Sequence, residues 1–301
     1  MGRDLASRDP EVADFYRRAG DIVGYDLASL CFDGPADRLD STEFSQPAIF
    51  VTSAACLGAI RRGTLSPELS DVTPDACLGL SLGEYSALYA AGAIDFADAL
   101  RLVQLRGRAM QAAAKQNPGS MVSILGLDER TVERLCDAVL AEIGDSGTIL
   151  LAPVNFNCPG QIVLSGSSDA CLLAAQRASQ FGAQRAIPLR VAGAFHTGLM
   201  EPAAAELKKA LEQCHFAQPE FPVLANVDAR RYDSPDRIGE RLIRQLVSPV
   251  RWQQSVESLL DEGFERFVEI GPGRVLTGLA KKISRARKLK PTIITVNGMA
   301  P

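Results

Sequence analysis

The sequence predicts an α/β fold: a large α/β-hydrolase-like domain built on a parallel sheet, into which a small ferredoxin-like domain is inserted. Three observations lead there. An apolar run ends in Gly79-Leu80-Ser81-Leu82-Gly83 and passes into Glu84-Tyr85-Ser86-Ala87-Leu88-Tyr89, a succession of strand, sharp turn and helix that can raise a serine hydroxyl as a nucleophile. After Asn117-Pro118-Gly119 the pattern changes to strand, helix, two strands, helix, strand, the order of a ferredoxin-like unit. Near the C-terminus the strand–helix alternation of a doubly wound sheet returns. The boundaries that follow are 1–117 with 188–301 for the large domain and 118–187 for the small one.

The first ~75 residues read as helices joined by short loops, at about 9–19, 25–31 and 46–61, the last with Pro47 at an early helical position where its missing N–H is harmless. A strand at about 76–80 feeds the Ser81 turn, a helix runs to Ala91, and a second helix spans about 96–114. The insertion holds strands at 120–125, 149–155 and 161–165, helices at 129–143 and 168–181, and a strand from Arg185 whose alternation continues towards Phe195. The chain then returns with helices at about 198–213, 237–247 and 252–262, strands at 223–227, 267–270 and 292–296, and Gly271-Pro272-Gly273 closing one strand into a helix.

A chain of 301 residues with 47% hydrophobic residues can bury a large core. It has no window resembling a membrane span and no apolar secretory core at Met1-Gly2-Arg3-Asp4, so a cytoplasmic location is expected. The seven cysteines are scattered and odd in number, which argues against a disulfide framework and against a zinc site. A formal net charge of −4 points to neither nucleic acid nor membrane as a partner. Lys281, Lys282, Arg285, Arg287, Lys288 and Lys290 form one local basic stretch, readable as a solvated helix end or as a docking patch for an acidic partner.

Ser81 has two readings. It is a nucleophile on an elbow, or with Glu84 it forms a capping box that satisfies helix-start amides. A nucleophile needs a base, and the chain has two histidines. His215 follows an amphipathic helix in a structural or surface setting, whereas His196 lies between a strand end and a helix, where α/β sheets collect catalytic groups. No acid is marked as orienter of the imidazole, so a backbone carbonyl could hold the ring and leave a Ser-His dyad.

Arg106 is the clearest further signal. Its helical neighbours at spacings of three, four and seven are Ala99, Leu102, Val103, Ala109, Met110 and Ala113, so it faces inward while Arg101 and Arg108 face out. A buried guanidinium requires an anion, either an internal carboxylate or one brought by the substrate. Serine, histidine and inward arginine together suggest acyl transfer with an acyl group that carries a free carboxylate.

From Gln46 onward the chain resembles the malonyl-CoA:acyl-carrier-protein transacylases. The resemblance rests on Ser45-Gln46-Pro47-Ala48, Gly79-Leu80-Ser81-Leu82-Gly83-Glu84-Tyr85, Leu105-Arg106-Gly107-Arg108-Ala109-Met110-Gln111, Val154-Asn155-Phe156-Asn157-Cys158-Pro159-Gly160-Gln161, Gly193-Ala194-Phe195-His196, Ser248-Pro249-Val250-Arg251-Trp252 and Glu269-Ile270-Gly271-Pro272-Gly273. It implies Ser81 as the acylated nucleophile, His196 as its base, Arg106 as the clamp on the malonyl carboxylate and the Leu82 amide as an oxyanion donor. Gln46 and Asn157 become supporting pocket residues, and a backbone carbonyl at Val250 or Arg251 the orienter of His196. Phe195 resembles the malonyl-selective form.

The partners implied are malonyl-CoA and an acyl carrier protein, met by a monomer that uses no metal or redox cofactor. Two departures from the family pattern bear on activity. Leu80 stands where the family usually has histidine, which implies a changed contact. The family also opens with a strand and a Gly-Gln-Gly-x-Gln loop carrying a second oxyanion donor, and this sequence starts just after it. Loss of one such donor costs about 100- to 1,000-fold in rate. The alternatives kept open are a carrier-linked acyl hydrolase and a non-catalytic relative that binds carrier protein.

Overall fold

The structure is a computed structural model that describes residues 1–144 and 150–298. Helices Arg3–Arg8 (α1), Pro10–Val23 (α2), Leu27–Asp33 (α3), Ala36–Leu39 (α4) and Thr42–Arg61 (α5) open the chain, followed by Gly83–Ala90 (α6) and Phe96–Gln116 (α7). Local chemistry sets several starts: Asp9 accepts from the Glu11 N–H at α2, and Asp95 from the Asp98 N–H at α7. α5 begins more than a turn before the expected position, so Pro47 lies inside it and cannot bond the carbonyl four residues back. There α7 approaches closely: a Cβ on Gly107 would stand 2.8 Å from the Thr42 carbonyl oxygen and 3.1 Å from that of Glu43. This backbone-to-backbone contact brings Gln46 of α5 beside Arg106 of α7. Phe50, Tyr85, Leu88, Leu100, Val103 and Leu207 fill the core between these helices.

Strands Ser120–Leu125 (β1), Leu151–Cys158 (β2), Gln161–Gly166 (β3) and Arg185–Pro188 (β4), with helices Glu129–Ile143 (α8) and Ser168–Arg177 (α9), form an antiparallel sheet of order β2-β3-β1-β4. Val122, Ile124 and Leu164 of the sheet face Val132, Leu135 and Val139 of α8 in a separate core. The strand expected at 149–155 starts at Leu151 and runs three residues further; Ile149 lies outside the described residues. β4 ends at Pro188, short of the alternation expected to Phe195. One more bond, Leu189 N–H to the Met121 carbonyl, closes the ladder, and the chain then leaves the sheet to deliver His196.

Glu201–Leu211 (α10), Ile238–Val247 (α11), Trp252–Asp261 (α12), Arg266–Ile270 (β5), Val275–Ala286 (α13) and Thr292–Val296 (β6) complete the fold, and β5 pairs with β6 in parallel. The strands expected at 76–80 and 223–227 do not form. A single parallel bridge joins Cys77 to Val223, made by Cys77 N–H to the Pro222 carbonyl (2.7 Å) and Leu224 N–H to the Cys77 carbonyl (3.0 Å). Past it, the side-chain amide of Asn226 takes the bonds a neighbouring strand would supply. Its Nδ2 donates to the Gly79 carbonyl (2.7 Å) and its Oδ1 accepts from the Ser81 N–H (2.6 Å). Parallel pairing among the described residues is thus confined to β5–β6 and to isolated bridges, which corrects the expected parallel sheet. The result is an α/β fold with mixed pairing and many helices. Among the described residues, no helix is long and apolar enough to cross a membrane.

Candidate active site

Ser81 sits at φ +52°, in the left-handed region that non-glycine residues seldom occupy. Asn226 holds it there from both sides of the turn. Gly79 is required by close approach, since a Cβ would overlap the Gly83 carbonyl and crowd the Glu84 nitrogen. Gly83 carries no such constraint, because a Cβ there meets nothing within 4 Å. The capping-box reading fails too. Ser81 N–H is taken by Asn226, and the Glu84 side chain turns inward instead of back.

His196 stands opposite, also at positive φ (+62°) and 5% exposed. Gly193 lets its segment lie against Ala114 of α7, and Thr197 Oγ1 donates to the Ala194 carbonyl at 2.7 Å. Its Nε2 is 2.9 Å from Ser81 Oγ, and its Nδ1 is 2.7 Å from the Gln245 carbonyl oxygen. A carbonyl only accepts, so the proton resides on Nδ1 and Nε2 is free to accept from the serine. Burial, with Arg106 adding to it, pushes the imidazole down to about 4, which keeps it neutral near pH 7 with the Nε2 lone pair open to a proton.

The orienting carbonyl is therefore Gln245, correcting the expected Val250 or Arg251. Gln245 lies in the last turn of α11, where carbonyls have no partner within the helix. Val250 is tied to β2 instead, donating to the Val154 carbonyl (2.7 Å) and accepting from Phe156 N–H (3.0 Å). Arg251 N–H bonds the Asn226 carbonyl (2.8 Å), and its guanidinium pairs with Glu129 over the Phe156 ring.

Arg106 is 1% exposed and held by neutral groups. Nη1 donates to Gln46 Oε1 (2.6 Å), while Nη2 donates to Ser81 Oγ and Gln245 Oε1 (both 2.9 Å). Its Nε has no hydrogen-bond partner, and the guanidinium lies 5.6 Å from the Tyr85 ring centre. Among the described residues no carboxylate stands within 4.0 Å of it. Burial weakens its hold on the proton, and Tyr85 and Glu84 partly restore it. A cation buried this way costs several kcal/mol, roughly, until an anion joins it.

Beneath the elbow, Glu84 is fully buried. Tyr232 donates its hydroxyl to Oε1, and Gln245 Nε2 (2.6 Å) and Asn226 N–H (3.1 Å) donate to Oε2. Burial raises this carboxyl to about 7 against those stabilising donors. Gln245 Nε2 also donates to the Ser81 carbonyl at 2.9 Å.

A family model described as an acyl transferase domain matches residues 1–295. The malonyl CoA-acyl carrier protein transacylase of Bacillus subtilis is 42% identical over 288 residues, covering 96% of this chain and 87% of that protein. Its Escherichia coli K12 counterpart is 40% identical over 283 residues, covering 94% and 88%. The chain belongs to the malonyl-CoA:acyl-carrier-protein transacylase family. Two solved structures of the family agree. A malonyl-transacylase in complex with a type II polyketide acyl-carrier protein superposes at TM-score 0.89, with 40% identity over 99% of this chain and 92% of that one. An acyl carrier protein S-malonyltransferase from Vibrio cholerae superposes at 0.88, also 40% identical over 99% and 92%.

In this transacylase-family chain Ser81, His196, Arg106 and Gln46 meet in one hydrogen-bonded cluster, with the Leu82 amide at the opening of α6. Asn157 on β2 does not join them by hydrogen bond; its Oδ1 is buried without a partner. Leu80, at the position of the family histidine, packs with Leu78 against Val250, Trp252, Leu279 and Ile283. Phe195 packs on Met121, Val154 and Val163. Gln245, Asn226 and Tyr232 escaped the sequence reading. Gln245 carried the signal that exposed Arg106: it stands three and seven residues from Leu242 and Ile238, on the buried face of α11.

Proposed function

We propose that this chain transfers a malonyl group from coenzyme A to the phosphopantetheine thiol of an acyl carrier protein, through a malonyl-Ser81 intermediate. The reading rests above all on Arg106, a buried guanidinium 2.9 Å from the nucleophile with only neutral oxygens for company. Gln46 and Gln245 place it without neutralising it, and a dicarboxylic acyl group brings the charge it needs. An uncharged acyl chain would leave that cation unpaired.

His196 Nε2 takes the Ser81 proton as Oγ attacks the thioester carbon. The oxyanion of the tetrahedral intermediate is met by the Leu82 N–H at the helix start. Collapse breaks the C–S bond, and the imidazolium returns its proton to the departing coenzyme A sulfur. The carrier thiol then gives its proton to His196, attacks malonyl-Ser81 and restores the serine. Base, nucleophile and cation account for every proton and charge, so no resident metal or redox cofactor is assigned. Asn157 takes, by the family resemblance, a supporting and not a chemical part in the pocket.

In the same reading, residues 118–187 form a ferredoxin-like small domain, supported by the β-α-β-β-α-β order, and 1–117 with 188–301 form the α/β-hydrolase-like body. The working unit is a monomer in the cytoplasm. Incubation with radiolabelled malonyl-CoA tests the function. Label on Ser81 that moves to holo carrier protein is expected. Free malonate released without carrier, or no label on Ser81, overturns it.

A further inference from the structure

Ser81 and His196 have no acid as a third direct partner, yet a buried carboxylate lies one residue behind them. Glu84 Oε2 accepts from Gln245 Nε2 at 2.6 Å, and both oxygens of Gln245 serve the site. Its Oε1 accepts from Arg106, its Nε2 also holds the Ser81 carbonyl, and its backbone oxygen holds His196 Nδ1. The same Glu84 oxygen accepts the N–H of Asn226, whose side chain clamps the elbow. We propose that Glu84 is a positioning residue of the transacylase reaction, its carboxylate fixing the Gln245 amide so that one side chain aligns nucleophile, base and substrate cation together.

The amide direction is the physical core of this. The Glu84 carboxylate and the Ser81 carbonyl can only accept and Arg106 can only donate, so together they compel Gln245 to present Nε2 to the first two and Oε1 to Arg106, and the carboxylate is the charged, strongest acceptor of the set. A protonated or amidated partner is a weaker acceptor, which loosens the amide that the Ser81 carbonyl and Arg106 otherwise hold in this direction. The titratable groups facing Glu84 are Tyr232 in direct contact, Arg106 beyond Gln245, and Tyr85; His196 lies further, across Arg106. Among these Glu84 alone changes charge near neutrality: burial pushes Tyr85 and Tyr232 up and His196 down to about 4, and a guanidinium keeps its charge.

The proposal rests on the malonyl-transfer reading, and the test separates the two. Single-turnover malonylation of Ser81 by malonyl-CoA is measured from pH 5.5 to 8.5 for the wild type, Glu84→Gln, Gln245→Met and Tyr232→Phe. The wild-type rate is expected to climb through an ionisation near pH 7. Glu84→Gln should stay on the low plateau, ~10- to 100-fold below the wild type at pH 8, with the malonyl-CoA KM changed less than threefold. Gln245→Met, which keeps the backbone oxygen under His196, should show the same flattened profile and guards against a Glu84→Gln that fails to fold. Tyr232→Phe leaves the Oε2 contacts in place and should keep the rising profile. A Glu84→Gln rate within twofold of wild type, or equal losses with unaltered profiles in Glu84→Gln and Tyr232→Phe, overturns the proposal. Failure of the wild type to label would overturn the malonyl-transfer reading instead.

Discussion

Arg106 Nη2 lies 2.9 Å from Ser81 Oγ, so a cation in the middle of α7 and a serine on the turn before α6 share a hydrogen bond. In the proposed reaction this puts the group that selects the substrate next to the group that attacks it. Replacing Arg106 by Ala should lower kcat/KM for malonyl-CoA by roughly 100- to 1,000-fold, the loss of one desolvated charge pair. The rate with acetyl-CoA should fall far less or rise, because that acyl group never used the cation. Side-by-side kinetics with the two thioesters check this; equal losses would place Arg106 in a structural role.

Asn226 does for the elbow what a strand would do for a sheet. Asn226→Ala strips partners from the Gly79 carbonyl and the Ser81 N–H and should cost about 2–3 kcal/mol of stability. Loss of the strained Ser81 backbone geometry should slow malonylation at least ~10-fold. Denaturant unfolding and single-turnover labelling read the two effects.

The two glycines of the elbow should behave oppositely. Gly79→Ala drives a methyl into the Gly83 backbone and should abolish folding or activity, a cost above roughly 3 kcal/mol. Gly83→Ala meets nothing within 4 Å at the first residue of α6, and its stability should stay within about 1 kcal/mol of wild type. Thermal melts of the pair settle the contrast.

Glu84 and His196 tug on stability in opposite senses. Glu84, raised from 4.5 to about 7, binds its proton more tightly when folded, so its contribution is full below pH 4.5 and is lost as pH rises towards 7. His196, lowered from 6.5 to about 4, contributes fully above pH 6.5 and loses it as pH falls towards 4. Each is worth roughly 3 kcal/mol at most, and between pH 4.5 and 6.5 they offset one another. In Tm scans over that window, Glu84→Gln should gain stability with rising pH and His196→Ala should lose it. Parallel curves for both variants and the wild type would refute the assignment.

Local chemistry made much of this legible in the chain. β1 and β6 appear at the expected residues because alternation and flanking turns are short-range signals, and α7 disclosed Arg106 because one cation on an apolar helical face breaks a periodic pattern. Ser81 and His196 were visible for a like reason: a glycine-framed turn and a scarce residue type are features of the sequence itself.

Short-range pattern was enough to single out Ser81, His196 and Arg106, which the fold brings into one hydrogen-bonded cluster, and the family motifs they sit in. The groups that hold them come from long-range packing. The His196 anchor is a carbonyl at the end of α11, and every residue has a carbonyl, so no residue type could mark Gln245 for that task. The same holds for the missing strands around Ser81. Whether a bond to the Gly79 carbonyl comes from a neighbouring backbone or from the Asn226 amide depends on how segments 145 or more residues apart come together, a relation that local propensity does not contain.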